Sequence, residues 1–289
     1  VLLIIASIGS GAFHPAGAVQ ATLAGRTQIT GRETSTTSIF FLFGQTGWFM
    51  GPLLGGAVID WLGLPGLVIL AVVVLPVAIY VWKQLKIPLR DERAKKPAEV
   101  TISLKKRLLK LSVFALVLVG AFQAWAQSNV TTFLPKYLND LGFSASFYGL
   151  LLSLFMAGSA IGNVVGAHLS ETYGKQRVIA FTLALGTIPL VLMGLGGYSD
   201  GYYVFVPLSG FLTGMSFSVI VVLSQRIIPA GMGMATGLVL GFTFAMGALG
   251  ALLTGMLADV VGIPSAFLLS GGITLAGGLL APLIKEEPA

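Results

Sequence analysis

The side chains with most scope for chemistry at depth in this chain are amides and aromatic rings. Gln123, Gln127 and Thr131 recur every four residues inside an apolar stretch, with Trp125 among them. On a helix this spacing puts all three on one face. An amide turned toward hydrocarbon would lose its hydrogen bonds at a cost of several kcal/mol, so the face must meet protein or a water-filled cavity. Gln20, Gln45, Trp48, Asn163 and Gln225 are further candidates on the same ground. Rings and amides together suit amphipathic organic solutes and offer little to fix a phosphate strongly.

Titratable groups are scarce. His14 is the one such residue near the middle of an apolar stretch. Imidazole changes charge near physiological pH, so His14 is the candidate for carrying a proton. The competing role is a neutral ring packed beside Pro15 and bonded to a neighbouring helix. His168 lies near the end of its stretch, as do Asp60 and Asp259. With no cysteine, disulfides, thiolate metal sites and cysteine nucleophiles are excluded. Two histidines and 11 acids, most of them in polar segments, predict no metal site and no cofactor.

These residues need long helices to hold them. Only 10% of the 289 residues are charged, where a soluble domain carries about 25%, and mean hydropathy is +0.91. Nine stretches free of Asp, Glu, Lys and Arg reach the length of about 20 residues that a helix needs to cross a bilayer: 1–25, 34–59, 61–82, 111–135, 141–170, 178–199, 201–225, 227–258 and 260–284. Strands of a membrane barrel are about 9–11 residues, too short for this pattern. The sequence predicts an all-α polytopic membrane protein.

Charge sets the orientation. With residue 1 outside, 16 of the 17 Lys and Arg fall on the inner side and Lys136 alone falls outside, as the positive-inside rule requires. The C-terminus is then inside. The net charge of +6 is accounted for by topology, and no nucleic-acid partner is expected. The segment 87–110 is predicted to be a cytoplasmic linker, with a short amphipathic helix at Leu104–Leu111 as one possibility. Because Val1 already lies inside an apolar run, the chain reads as a fragment whose beginning is missing.

An internal repeat supplies the architecture. Residues 51–65 (GPLLGGAVIDWLGLP) match residues 250–264 (GALLTGMLADVVGIP) at seven identical positions: Gly51, Leu53, Leu54, Gly56, Asp60, Gly63 and Pro65 against Gly250, Leu252, Leu253, Gly255, Asp259, Gly262 and Pro264. The second stretch is therefore equivalent to the second-last. Two parallel six-helix halves joined by an inner linker is a known transporter arrangement. On that reading residues 1–86 are spans four to six of a first half, residues 111–289 are spans seven to twelve, and three spans are lost.

At this point a family resemblance becomes specific. Residues 47–56, GWFMGPLLGG, fit the fifth-span pattern G-x-x-x-G-P-x-x-G-G of the major facilitator superfamily, at Gly47, Gly51, Pro52, Gly55 and Gly56. Residues 167–177, AHLSETYGKQR, resemble the family's loop motif, with Leu169, Gly174 and Lys175 matching, Glu171 in place of Asp, and Arg177 closing it. Thr172 replaces the motif's Arg and Ala167 its first Gly. GSGAFHPAG (9–17), TFLPKYL (132–138), VVLSQRIIP (221–229) and GLVLGF (237–242) are similar to the fosmidomycin-resistance branch.

The resemblance implies nine of the twelve helices of the major facilitator fold. It also implies a secondary transporter in a bacterial or archaeal cytoplasmic membrane, exporting small organic compounds by proton antiport and alternating access. The proton gradient would be its energy source, its partners a small solute, protons and lipid, and its full-length form monomeric. The competing functions are an uptake symporter for sugars or organic acids, a transporter-like receptor without flux, and a membrane enzyme, for which no nucleophile–base pair or carboxylate dyad sits at a stretch end. Gly44, Gly47, Gly51 and Gly55 share a helical face and are expected to let α-helical backbones approach closely, with Gly250 the milder of the repeat-related sites. Gly158, Gly162 and Gly166 carry the same spacing and are expected to pack.

Overall fold

A computed structural model describes residues 2–27, 32–84, 111–228 and 231–285. The expected linker therefore lies outside the described residues. Every described element is helical. Helix α1 runs Leu2–Thr27, α2 Glu33–Leu62, α3 Leu67–Gln84, α4 Leu111–Asp140, α5 Ala145–Tyr173, α6 Lys175–Leu195, α7 Tyr202–Gly214, α8 Phe217–Ile227, α9 Met232–Val261 and α10 Pro264–Leu280. Short 3₁₀ turns at Leu64–Gly66 and Ala281–Leu283 precede α3 and follow α10.

Each predicted stretch is occupied by helix. Six spans, α4, α5, α6, α7 with α8, α9, and α10 with its 3₁₀ turn, are long and apolar enough to cross a membrane. Helices α1 and α2, of 26 and 30 residues, occupy the first two stretches. Proline is tolerated within α1, α2, α3, α4, α6 and α7, since neighbouring helices can re-satisfy the freed backbone groups.

The sequence repeat is a repeat of structure. Helix α2 ends at Gly63 and α9 at Gly262, with φ of 69° and 90°. The N–H of Gly63 donates to the carbonyl of Ile59 (3.0 Å) and that of Gly262 to Ala258 (2.8 Å). Both glycines are followed two residues later by a proline, Pro65 or Pro264, in the first turn of the next helix. Positive φ with ψ of −176° and 155° is a region essentially confined to glycine, so this corner explains two of the seven repeated identities.

One stretch departs from expectation. Residues 201–225 form two helices, α7 and α8, separated by a turn at Met215–Ser216. The turn leaves backbone groups on either side without the usual partners four residues away, and side chains from other helices take their place, as described below.

Glycines set the closest packing. A Cβ at Gly158, Gly162 or Gly166 would overlap the carbonyl oxygens of Pro207, Phe211 and Met215 respectively, and one at Gly210 or Gly214 would overlap those of Phe155 and Ser159. Two four-residue ladders thus interlock α5 with α7 along their backbones. This is the packing expected of Gly158, Gly162 and Gly166.

The close approach expected at Gly44, Gly47, Gly51 and Gly55 is not seen among the described residues. Among these residues, Gly44, Gly47 and Gly51 have no atom within 4 Å of where a Cβ would stand, and Gly55 meets only Leu67 Cδ2 at 4.0 Å. The close contact lies on the next face. Gly56 abuts the carbonyl of Ala145 (2.8 Å), and Gly149 abuts that of Pro52 (2.7 Å). A helix with glycine on two faces does not reveal which one meets a neighbour. The ranking of the repeat-related pair is corrected as well, because a Cβ at Gly250 would overlap the ring of Trp125.

Helix α2 therefore runs antiparallel along α5 for its full length, while α4 packs on α9 and α10, α6 on α10, and α1 on α2 and α9. Two apolar cores fill the spans beyond residue 111. One gathers Leu116, Val119, Ile179, Leu183, Val219 and Leu223. The other gathers Leu134, Leu138, Leu151, Phe155, Tyr202 and Phe267.

Candidate functional site

Between α1, α2, α4, α5, α8 and α9 lies a cavity of about 320 Å³. Six residues predicted from sequence line it: His14, Gln45, Trp48, Gln123, Gln127 and Thr131. Phe41, Gly44, Ser128, Met156, Phe217, Thr243 and Phe244 complete most of the wall. Sequence reasoning missed these. Ser128 and Thr243 could have been found by the rule that flagged the glutamines, but a hydroxyl can bond back to its own helix, as Thr243 does to Leu240 (3.0 Å), and so gives a weaker signal.

The polar stripe of α4 faces both protein and cavity. Gln123 is 3% exposed, and its Nε2 donates to the carbonyl of Thr213 at 3.3 Å. That carbonyl lies in the last turn of α7, where the helix stops. Gln127 Nε2 donates to Ser159 Oγ (3.2 Å) and, at the distance limit, to Thr213 Oγ1 (3.5 Å). Thr131 Oγ1 donates back to Ser128 (3.1 Å). The Oε1 of Gln45 is buried with no hydrogen-bond partner among the described residues. The His14 ring is half-buried and meets Phe13 edge-on at 5.7 Å.

The remaining pathway candidates stand elsewhere. Asn163 on α5 is fully buried, and its Oδ1 accepts from the N–H (3.1 Å) and hydroxyl (2.5 Å) of Ser218 in the first turn of α8. It therefore closes the other side of the α7–α8 break. Trp125 turns toward α9, where its indole N–H donates to Thr254 Oγ1 (2.9 Å). Gln225 donates to Thr236 Oγ1 (2.9 Å) between α8 and α9. Gln20 is half-buried and is not on the cavity wall. Depth and polarity alone do not separate a wall residue from one that braces two helices, because both avoid lipid.

Below the cavity the helices close in layers one turn apart. Along α1, His14 on the wall is followed by Ala18, Thr22 and Arg26, each four residues on. Ala18 packs with Phe41, Val221 and Leu240 in a buried apolar layer. Thr22 and Thr37 share a hydrogen bond of 2.8 Å in the next. At the end, Glu33 is clasped by Arg26 from α1 and Arg226 from α8. Glu33 lies one residue outside its predicted span and is 5% exposed. Burial pushes its carboxyl up, but the two guanidinium groups together outweigh burial and hold it below the usual 4.5.

The loop motif joins this end. Leu169 and Glu171 occupy the last turn of α5, Gly174 the corner (φ 93°), and Lys175 and Arg177 the first turn of α6. Glu171 accepts from the N–H (2.9 Å) and hydroxyl (2.7 Å) of Ser35. At the opposite end Asp60 accepts from the N–H (3.0 Å) and the hydroxyl of Ser146, and those bonds lower its pKa. Among the described residues no cluster of His, Asp and Glu is placed to hold a metal.

A sequence profile described as "Major Facilitator Superfamily" matches residues 1–145 and, separately, residues 116–289. The chain is 28% identical over 285 residues to the fosmidomycin resistance protein of Escherichia coli K12, covering 96% of this chain and 69% of that protein. It is also 28% identical over 291 residues to the MFS-type transporter YfnC of Bacillus subtilis 168, covering 97% and 69%. In three dimensions it resembles the crystal structure of FucP, a transporter captured in an outward conformation, with a TM-score of 0.67 over 96% of this chain and 82% of FucP at 15% identity.

Proposed function

The chain belongs to the major facilitator superfamily, and on that premise we propose that this integral membrane transporter exports small organic compounds by proton antiport. The observation that carries the proposal is the vertical order of the site. A cavity walled by rings and amides is separated from the basic end of the bundle by an apolar layer, a threonine pair and the Glu33 clasp. A solute path closed at one end is the geometry alternating access requires.

Positive-inside counting places the closed end in the cytoplasm. The cavity then belongs to a state that has already shut behind its solute. Relatedness to a protein named for drug resistance and the GWFMGPLLGG motif favour export over uptake. His14 is the proposed proton carrier, since it stands on the cavity wall within reach of a bound solute.

The test is efflux into everted vesicles under an imposed pH gradient. Wild-type protein should accumulate solute against its gradient. His14→Gln should bind solute yet lose the dependence on the pH gradient. If the gradient has no influence on wild-type transport, antiport is wrong. If it drives movement in the opposite direction, the protein is a symporter.

A further inference from the structure

The two glutamines of α4 point to a substrate class, an inference that rests on the transport reading of the same cavity. Partner chemistry fixes how each amide is turned. The carbonyl of Thr213 can only accept, so Gln123 must present Nε2 to it. The hydroxyl of Thr213 has one hydrogen, committed to the carbonyl of Ser209 at 2.8 Å. It can only accept from Gln127, which therefore also turns Nε2 inward. Each NH₂ group is engaged by protein, that of Gln127 twice and that of Gln123 once. No donor among the described residues meets either Oε1, so the two oxygens are the acceptors open to whatever occupies the cavity. The residues are one turn apart on one face, so these oxygens make a pair of neighbouring acceptors.

The rest of the wall agrees in sign. Phe41, Trp48 and Phe244 surround the same space, and aromatic faces carry negative quadrupole charge that favours N–H groups and cations. The Oε1 of Gln45 is buried with no hydrogen-bond partner among the described residues, a further acceptor that no protein donor occupies. Among the described residues His14 is the single titratable side chain on the wall.

We propose that the cavity selects amphipathic aromatic compounds whose polar end donates hydrogen bonds, such as arylamines and amidines, over acceptor-rich anions such as organophosphonates. Three probes separate the contributions. Ethidium is an aromatic cation bearing arylamine donors, tetraphenylphosphonium an aromatic cation without donors, and phenylphosphonate an aromatic anion. Equilibrium binding to the protein in detergent micelles should favour ethidium over both others by about tenfold, the effect of one buried hydrogen bond. Gln127→Leu should erase the advantage over tetraphenylphosphonium by lowering ethidium affinity about tenfold, with a much smaller change for tetraphenylphosphonium.

Equal affinity for the two cations in wild type would overturn the proposal, as would phenylphosphonate binding at least as tightly as ethidium, or none of the three binding. In proteoliposomes the two readings fail separately. Gradient-driven movement of any probe without preference for ethidium sinks the donor selectivity and leaves transport standing. Donor-selective binding with no movement under any gradient sinks transport alone.

Discussion

Glu171 and Ser35 are joined twice, through the backbone N–H and the hydroxyl of Ser35. The contact places a carboxylate at the start of α2, where unpaired N–H groups and the helix dipole both favour negative charge. Asp60, at the far end of α2, does the same for Ser146 at the start of α5. The two antiparallel helices thus cap one another at opposite ends of the bundle.

Removing either carboxylate should therefore loosen one end only. Glu171→Ala should cost about 1.5–3 kcal/mol, the range for hydrogen bonds to a charged group. It should also raise labelling of a cysteine introduced at buried Thr37, and the native chain has no cysteine to interfere. Asp60→Ala should leave Thr37 protected. Equal labelling in both variants would mean that the ends are not independent.

The Glu33 clasp sets a pH dependence whose sign follows from its lowered pKa. A carboxyl held below its ordinary value contributes stability that is complete above about 4.5 and is lost as pH falls through the folded value. Midpoint temperatures in detergent should thus decline on acidification below about pH 4.5, and Glu33→Gln should flatten that part of the curve. Arg226→Gln should steepen labelling at Thr37 more than Arg26→Gln, because Arg226 reaches Glu33 from a helix remote in sequence. A Glu33→Gln profile parallel to wild type between pH 5 and pH 3 would remove the clasp from the closure.

Glycine substitutions should sort by what they touch. Gly162→Ala drives a methyl into the carbonyl of Phe211 and should destabilise by about 1–3 kcal/mol or fail to fold. Gly51→Ala meets open space among the described residues and should change stability by less than about 0.5 kcal/mol. Gly250→Ala, against Trp125, should fall near Gly162. Thermal unfolding of the three variants side by side decides the order, and a Gly51→Ala loss as large as that of Gly162→Ala would contradict it.

Much of this architecture was legible in the sequence. Charge-free stretches located every helix because charged residues are excluded from spans, and the Gly-x-Pro corners at 63–65 and 262–264 announced the repeat. The α7–α8 break was not legible. Gly214 precedes it, yet glycines of the same spacing run through unbroken α5, so glycine alone carries no instruction to stop. Half of the candidate site was also mixed with its scaffold. Gln123 and Asn163 are both amides at depth, and only their partners show that one reaches the cavity while the other holds the start of α8.

Asn163 supplies a direct check on that distinction. Asn163→Ala leaves the N–H of Ser218 without its acceptor and should cost about 1–3 kcal/mol of stability, with solute affinity unchanged. Gln127→Leu should do the reverse, lowering affinity with a smaller effect on stability. A shared loss of affinity in both variants would put Asn163 back on the solute path.

The interlocked backbones of α5 and α7 have a mechanical consequence. With Gly158, Gly162, Gly166, Gly210 and Gly214 each against a facing carbonyl, neither helix can slide past the other without collision, so the two turn as one lever. The seam between α2 and α5 has two such contacts, at Gly56 and Gly149, against five, so under the proposed alternating access it is the seam that gives when the cavity changes sides. That seam carries a latch at each end, Glu171 on Ser35 and Asp60 on Ser146. On the proposed transport reading, a rocking motion that releases one latch keeps the other fastened, and the seam serves as a fulcrum with two resting positions.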